Sequence, residues 1–280
     1  MQPLLSHGVL TKKQPGAKSC KLNYIITTLE EKHLPEVMHL QKCITQNLPS
    51  QKLLKPFSHE FMKQHLGHRG IVLGVFVEAQ LVAFRCIYFP AVEDKEWNLG
   101  IDLKLPEEKL PHVANLQMVC VHPDFRGNAL ALKMNRIALA RLREIKTHYH
   151  VCATVSPDNI WNIPVLLASG FCIARLKKKY RDKMRYIVYQ NLLKPMSFQL
   201  GHTIKVPLDD LDTQIGLLRK GYVGTHMAKR GNISPKVTAA SFNLIFQLPL
   251  PKRPSPVRWN MLHVWHLPSS SEIRQHLFLR

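Results

Sequence analysis

A short stretch after a predicted strand carries the residues best suited to chemistry. The strand covers residues 116–121, and the segment Arg126-Gly127-Asn128-Ala129-Leu130-Ala131 opens a helix predicted over residues 128–145. The first backbone N–H groups of a helix lack intrahelical partners and lie at the positive end of its dipole. Small residues let a phosphate approach them closely, so this turn suits a pyrophosphate. The alternative is an ordinary strand-to-helix turn in which Gly127 only relieves backbone strain.

The same segment resembles the pyrophosphate-binding signature of the GNAT superfamily of N-acetyltransferases. That signature has Arg or Gln, two residues, Gly or Ala, one residue, and Gly or Ala, and these fall here on Arg126, Ala129 and Ala131. The usual Val-x-Pro-x-aromatic sequence before it is matched as well, by Val121, Pro123 and Phe125. The pattern prefers glycine at its fourth position, where this chain has Ala129.

A second matching element lies downstream. Members of the superfamily often show an Asn eleven residues before a Gly-Phe pair, and Asn159 precedes Gly170-Phe171 at that spacing. The resemblance covers residues 21–193 and is closest in kind to bacterial-type members with a C-terminal extension. It implies an α/β (α+β mixed) fold with a mixed, mostly antiparallel central sheet flanked by helices.

The resemblance also implies acetyl-coenzyme A as co-substrate and no metal. The strand before the signature would pair with the pantetheine arm, and a backbone N–H of Val119 or a neighbour would polarise the thioester carbonyl as an oxyanion donor. The implied cofactor-binding residues are Met118, Val119, Val121, Arg126, Gly127, Asn128, Ala129, Leu130, Ala131 and Asn159.

The catalytic side chains are left open by the sequence. Many superfamily members protonate the leaving thiolate with a tyrosine on the helix before Gly-Phe, but residues 164–168 here contain no hydroxyl. Tyr180 or Tyr186 could replace it, or could be packing residues. For the general base, Gln117 occupies the strand position where a carboxylate would serve, and Glu93 lies in an acidic loop that could equally be a solvated insertion. A water chain to bulk solvent is a further alternative.

These observations predict an N-acetyltransferase that moves an acetyl group to a primary amine by direct attack in a ternary complex. The acceptor would be an amine-bearing small molecule or a protein, which the sequence does not distinguish. The alternative is a catalytically degenerate protein of the same fold that binds coenzyme A or a macromolecular partner without turnover.

Composition constrains partners and location. The 280 residues carry 39 Lys and Arg against 19 Asp and Glu, a formal charge of +20, which leaves nucleic acid as a less favoured alternative partner. No run of about 18 apolar residues suggests a membrane span, and residues 1–20 lack the apolar core of a signal peptide. The expectation is therefore a cytoplasmic protein, monomeric or homodimeric, with its six scattered cysteines reduced.

Hydrophobic periodicity divides the chain into four predicted regions. Residues 1–20 are expected to be a flexible tail, 21–193 the acetyltransferase domain, 194–247 an accessory helix and strand, and 248–280 a proline-rich basic tail of weak order. Within the domain, the patterns predict a strand, helices, a hairpin at 70–89, the central strand, the long helix, a strand, a helix at 158–169 and a final strand pair. Residues 90–111 are expected to be irregular.

Overall fold

The computed structural model describes residues 4–13, 19–48, 50, 53–231 and 237–250. Its strands are β1 (Leu4–Lys12), β2 (Cys20–Leu29), β3 (Gly70–Val77), β4 (Gln80–Tyr88), β5 (Val113–Val121), β6 (His150–Val155), β7 (Cys172–Lys179), β8 (Lys183–Asn191), β9 (Phe198–Pro207), β10 (Val223–Lys229) and β11 (Phe242–Pro249). Its helices are α1 (Leu34–Gln46), α2 (His59–Leu66), α3 (Leu99–Asp102), α4 (Leu130–Ile145), α5 (Asn162–Ala168) and α6 (Leu211–Arg219).

The strands form one sheet in the order β1-β2-β3-β4-β5-β6-β8-β7-β10-β11-β9. Every described neighbouring pair is antiparallel except β5 and β6, which run parallel. The predicted fold class, an α/β arrangement with a mixed and mostly antiparallel sheet flanked by helices, is therefore confirmed.

Side-chain alternation along β5 joins two hydrophobic cores on opposite faces of the sheet. Met118 and Cys120 pack with the buried residues of α1 and α2, whereas Val119 and Val121 pack against the core that contains the buried stripe of α4. Because successive strand residues point to opposite faces, one strand can be apolar on both sides. The central strand is thus fixed from both faces.

The predicted flexible tail over residues 1–20 is wrong for its described part. Residues of β1 pair antiparallel with β2 from Lys12↔Cys20 to Leu4↔Thr27, and Leu10 is buried. The segment has only a short apolar run of its own. Its order comes from the edge of β2, which supplies backbone partners that no local sequence pattern reveals.

The accessory region is a continuous part of the sheet. The sequence predicted one accessory helix and one strand over 194–247, whereas the structure has α6 and the strands β9, β10 and β11 there. The described residues up to Leu250 form a single compact unit. Residues 251–280 of the predicted basic tail lie outside the described residues.

The loop after β4 is more ordered than predicted. Within residues 90–111, Leu99 and Leu110 are buried, and the buried side chain of Asn98 donates to the carbonyls of Ala91 and Leu110 and accepts from the N–H of Gly100. In the described part of the chain, no helix combines the length and apolarity needed to cross a membrane.

Candidate functional site

A gap opens in the middle of the sheet between β5 and β6. The two strands pair only where residues 113–115 lie beside residues 150–152, and no pairing continues toward Val121 and Val155. On the other edge of β5, the N–H of His122 donates to the carbonyl of Val82 at 2.9 Å, and Cys120 lies opposite Phe84. Because backbone groups alternate in direction along a strand, the N–H groups of Val119 and Val121 point into the gap.

A cavity of about 680 Å³ extends from this gap. We call one part of its lining the signature end, made of Val119, Val121, Arg126, Gly127, Ala129, Leu130 and Ala131. We call another part the aromatic end, made of Lys55, Phe57, Trp97, Tyr180 and Arg185. Met118, Gln117 and Asn159 also line the cavity. The structure therefore brings together nine of the ten cofactor-binding residues predicted from the sequence.

The signature loop reaches α4 through two residues with positive φ. Gly127 has φ +91°, and Ala129, which precedes the first helical residue, has φ +52°. The helix thus begins at Leu130, two residues later than predicted. The side chain of Arg126 turns back toward the strand, where its Nε donates to the carbonyl of Val121 at 3.4 Å. The free N–H groups of the first turn of α4 therefore meet the cavity beside a guanidinium group.

Asn128 is the predicted cofactor residue that does not line the cavity. Its side chain accepts from the N–H of Thr11 at 2.8 Å and donates to the carbonyl of Thr11 at 2.7 Å. It also donates to the carbonyl of Phe125 at 3.0 Å. The structure thus assigns this side chain to anchoring β1 on the signature loop, because a carboxamide can mimic the paired donor and acceptor of a neighbouring strand.

A buried arginine lies behind the gap. Between Leu116 and Val119 the register of β5 slips by one residue against β4, which is a β-bulge. Arg85 of β4, 1% exposed, donates to the carbonyl of Gln117 at 3.1 Å and through Nε to Asn135 of α4 at 2.9 Å. Burial lowers the pKa of Arg85 to about 10, so it stays charged at neutral pH. The guanidinium group of Arg85 therefore connects the bulge in β5 to α4 through hydrogen bonds.

Asn159 lies on the other side of the cavity, before α5. Its Oδ1 accepts from the N–H of Asn162 at 3.0 Å, which satisfies one donor at the start of α5. The predicted helix over 158–169 is therefore shorter, and α5 starts at Asn162, after a turn in which the N–H groups of Asn162 and Ile163 donate to the carbonyl of Asn159.

The two tyrosine candidates are separated by the fold. Tyr180 lines the cavity, and its hydroxyl lies 3.4 Å from Oγ1 of Thr154. Burial raises the pKa of Tyr180, so the phenol remains protonated at neutral pH. Tyr186 is fully buried and donates to Oε1 of Gln214 at 2.5 Å, away from the cavity. The structure places Tyr186 in the packing between β8 and α6, which contradicts its candidacy as the acid.

The two candidates for the base also differ. Glu93 is exposed and does not line the cavity, because its loop folds with the carboxylate toward solvent. Gln117 does line the cavity, with its Oε1 at 2.6 Å from Nε2 of His65. His65 is fully buried, its Nδ1 lies 2.7 Å from the carbonyl oxygen of Phe61, and burial lowers its pKa.

Sequence patterns missed the residues of the aromatic end other than Tyr180. The ring centroids of Trp97 and Tyr180 lie 5.4 Å apart, and Nζ of Lys55 lies 5.4 Å from the Trp97 centroid and 5.8 Å from that of Tyr180. The one available signal was aromatic residues in otherwise polar loops. The described residues contain no group of three or more His, Cys, Asp or Glu arranged to hold a metal ion.

Comparison with known proteins gives matches among solved structures. No protein-family model matches this chain, and no curated protein matches it. A ribosomal-protein-S18-alanine N-acetyltransferase from Escherichia coli is similar at 16% identity and a TM-score of 0.44, over 59% of this chain and 91% of that one.

Two further solved structures are similar at the same level. An acetyltransferase of the GNAT family from Streptococcus pneumoniae has 14% identity and a TM-score of 0.47, over 60% of this chain and 98% of the other. An N-acetyltransferase from Staphylococcus aureus has 12% identity and a TM-score of 0.48, over 61% and 99%. Within this chain, the signature loop, the unpaired edge of β5 and the N-terminus of α4 line one cavity.

Proposed function

We propose that this chain is an N-acetyltransferase that moves an acetyl group from acetyl-coenzyme A to a primary amine by direct attack in a ternary complex. The observation that carries the proposal is the gap between β5 and β6, whose free backbone edge lines the same cavity as the signature loop. An extended amide arm can pair with such an edge, and a diphosphate can accept from the first turn of α4.

The strand and the signature loop would bind different parts of the cofactor. The N–H groups of Val119 and Val121 would pair with the pantetheine arm, and the first-turn N–H groups of α4 with Arg126 would bind the pyrophosphate. Acetyl-coenzyme A would supply the acetyl group as an activated thioester. A strand N–H aimed at the thioester oxygen would stabilise the negative charge that develops there.

Tyr180 is the strongest candidate for the general acid. It is the one tyrosine among the described residues that line the cavity, and burial keeps it protonated. A neutral phenol can donate its proton to a departing thiolate. No carboxylate belongs to the described lining, so deprotonation of the amine would depend on water or on a lowered pKa of the bound amine.

The same missing carboxylate favours one alternative, a protein that binds coenzyme A without turnover. Two measurements separate the proposals: calorimetric binding of acetyl-coenzyme A, followed by thiol release in the presence of a panel of primary amines. Binding with amine-dependent thiol release supports the enzyme. Binding without release on any amine supports the alternative, and absence of binding contradicts both.

A further inference from the structure

The outer edge of β7 has little strand pairing. On one side, β7 pairs with β8 along its whole length. On the other side, the described residues pair with it at a single point, where Ile173 lies opposite Gly224 of β10. Residues 175–179 therefore leave backbone N–H and C=O groups without a strand partner on that side. Such an edge can pair with a further extended segment, because strand pairing uses backbone groups.

A groove of about 490 Å³ follows this edge, and we call it the edge groove. Residues 175–178 of β7 all line it, although successive strand residues point to opposite faces of a sheet. Side chains from both faces line one groove when the groove runs along the edge of the strand. The rest of the described lining comes from Lys104, from Met184 of β8 and from three residues of α6. The unpaired backbone and the groove therefore coincide.

The edge groove is lined by cations, two of which have acidic partners. Lys177 pairs with Asp102 at 2.7 Å, but the same carboxylate also pairs with Lys179, so these three groups together keep one positive charge. Lys178 lies 3.7 Å from Asp182, and both side chains are exposed, so water screens that pair. The acids near the hairpin of β7 and β8 thus offset part of the charge of the groove.

The other three cations of the edge groove are not offset in this way. Lys104, Arg175 and Arg219 form no ion pair with any described residue. Asp212, the one acid of α6, does not belong to the described lining, which contains no acidic residue. Four apolar side chains from β7, β8 and α6 complete the lining. The groove therefore combines positive charge, apolar surface and a free strand edge.

These three properties together indicate the kind of partner. A second copy of this chain would bring the same cations to the edge and would be repelled. A nucleic acid would attract the cations but has no amide backbone to pair with a strand. An extended peptide with acidic side chains meets all three conditions, since its backbone can pair with residues 175–179 while its carboxylates reach the cations.

We propose that the edge groove binds an extended acidic peptide segment of a partner protein, which pairs with β7 as an additional strand. Lys104, Arg175 and Arg219 would bind its carboxylates, and the apolar lining would contact its apolar side chains. The edge groove and the cavity at the gap between β5 and β6 share no described lining residue. The inference therefore goes beyond the proposed acetyltransferase function and stands or fails independently of it.

The test measures binding of blocked, fluorescein-labelled peptides to the whole protein by fluorescence anisotropy. A peptide of four Glu-Val repeats should bind about tenfold or more tightly than a peptide of four Lys-Val repeats. Methylation of every backbone N–H of the acidic peptide keeps its charge but blocks strand pairing, and should weaken binding about tenfold or more. Equal binding of the methylated peptide, or of oligothymidylate of the same charge, would overturn the proposal, as would absence of binding at millimolar concentration.

Charge reversal tests the location. Arg175→Glu and Arg219→Glu should each weaken binding of the acidic peptide about tenfold or more. The matched control is Lys205→Glu, at an exposed lysine of β9, the last strand of the sheet, outside the groove lining; its affinity should stay within about twofold of the wild type. Wild-type affinity in both groove variants, or equal weakening in the control, would contradict the assignment.

Hydrogen exchange of the unaltered protein gives a second reading of the location. Saturation with the acidic peptide should slow exchange of amides within residues 175–179, because a paired N–H is protected from solvent. Exchange of the amides of β9 should not change. Bound peptide that leaves residues 175–179 unprotected would refute strand pairing at β7, whatever the variants show.

Discussion

The signature end of the cavity is built from one continuous stretch of chain, whereas the aromatic end is assembled from three distant segments. Val119 to Ala131 provide mainly backbone groups and one guanidinium group. Lys55, Trp97 and Tyr180 come from three separate loops, and their side chains contact one another. Backbone groups recognise what is common to all reactions of a cofactor, while side chains determine which acceptor fits. The two ends should therefore respond differently to substitution.

The largest expected effect comes from a negative charge at the signature end, which should weaken cofactor binding without lowering stability. Ala131 lies in the first turn of α4 and lines the cavity. We expect Ala131→Glu to weaken acetyl-coenzyme A binding on the order of 100-fold or more by repulsion of the diphosphate. The melting temperature should not fall, because an acidic residue complements the helix dipole there.

The matched control is Ala140→Glu, at an exposed position of the same helix. Its affinity for acetyl-coenzyme A should stay within about twofold of the wild type, as expected for an isolated surface charge. Equal binding by Ala131→Glu and Ala140→Glu in calorimetry would mean that the diphosphate does not lie at the start of α4.

Substitution of Tyr180 and Tyr186 tests whether the tyrosine at the aromatic end has a catalytic role. Tyr180→Phe removes the hydroxyl in the cavity, and kcat should fall on the order of 100-fold with little change in the KM for acetyl-coenzyme A. Tyr186→Phe should leave kcat intact but lower the free energy of unfolding by about 1–2 kcal/mol, because Gln214 loses a buried donor. Steady-state kinetics and urea unfolding of both variants test the two predictions. A wild-type kcat in Tyr180→Phe would show that Tyr180 is not the general acid.

Asn128 tests whether the first strand supports the signature end. Asn128→Ala breaks both hydrogen bonds to Thr11, so we expect the KM for acetyl-coenzyme A to rise about tenfold and stability to fall by about 1–2 kcal/mol. Asn128→Asp keeps the acceptor toward the Thr11 N–H and loses the donor, and its effect should be intermediate. A KM unchanged in both variants would show that the loop holds its shape without β1.

The smallest effect concerns the backbone of the signature loop. Ala129 has φ +52°, a conformation that disfavours a side chain. Ala129→Gly should raise the free energy of unfolding by about 1 kcal/mol after the entropy cost of glycine. Gly127→Ala, at φ +91°, should lower it by at least about 1 kcal/mol. Urea unfolding measures the free energy of unfolding of the two variants. Changes of the same sign in both variants would contradict the prediction.

Local patterns predicted most of the fold around the signature end. Helical periodicity located α4 to within two residues of its start, and the hairpin of β3 and β4 followed from two apolar runs separated by a polar step. The pairing of β1 with β2, and the strands β9 and β10, could not be predicted in the same way. Those segments depend on edges supplied by other strands, and their own alternation is weak.

The sequence by itself determined the signature loop, the strand before it and the helix after it, because their backbone groups act through local conformation. The tertiary structure alone decided that Tyr180 lines the cavity while Tyr186 packs against α6. It also decided that Glu93 faces solvent and that Lys55 lies above Trp97. These positions depend on contacts between residues far apart in the chain, and no local spacing encodes which distant side chains will meet.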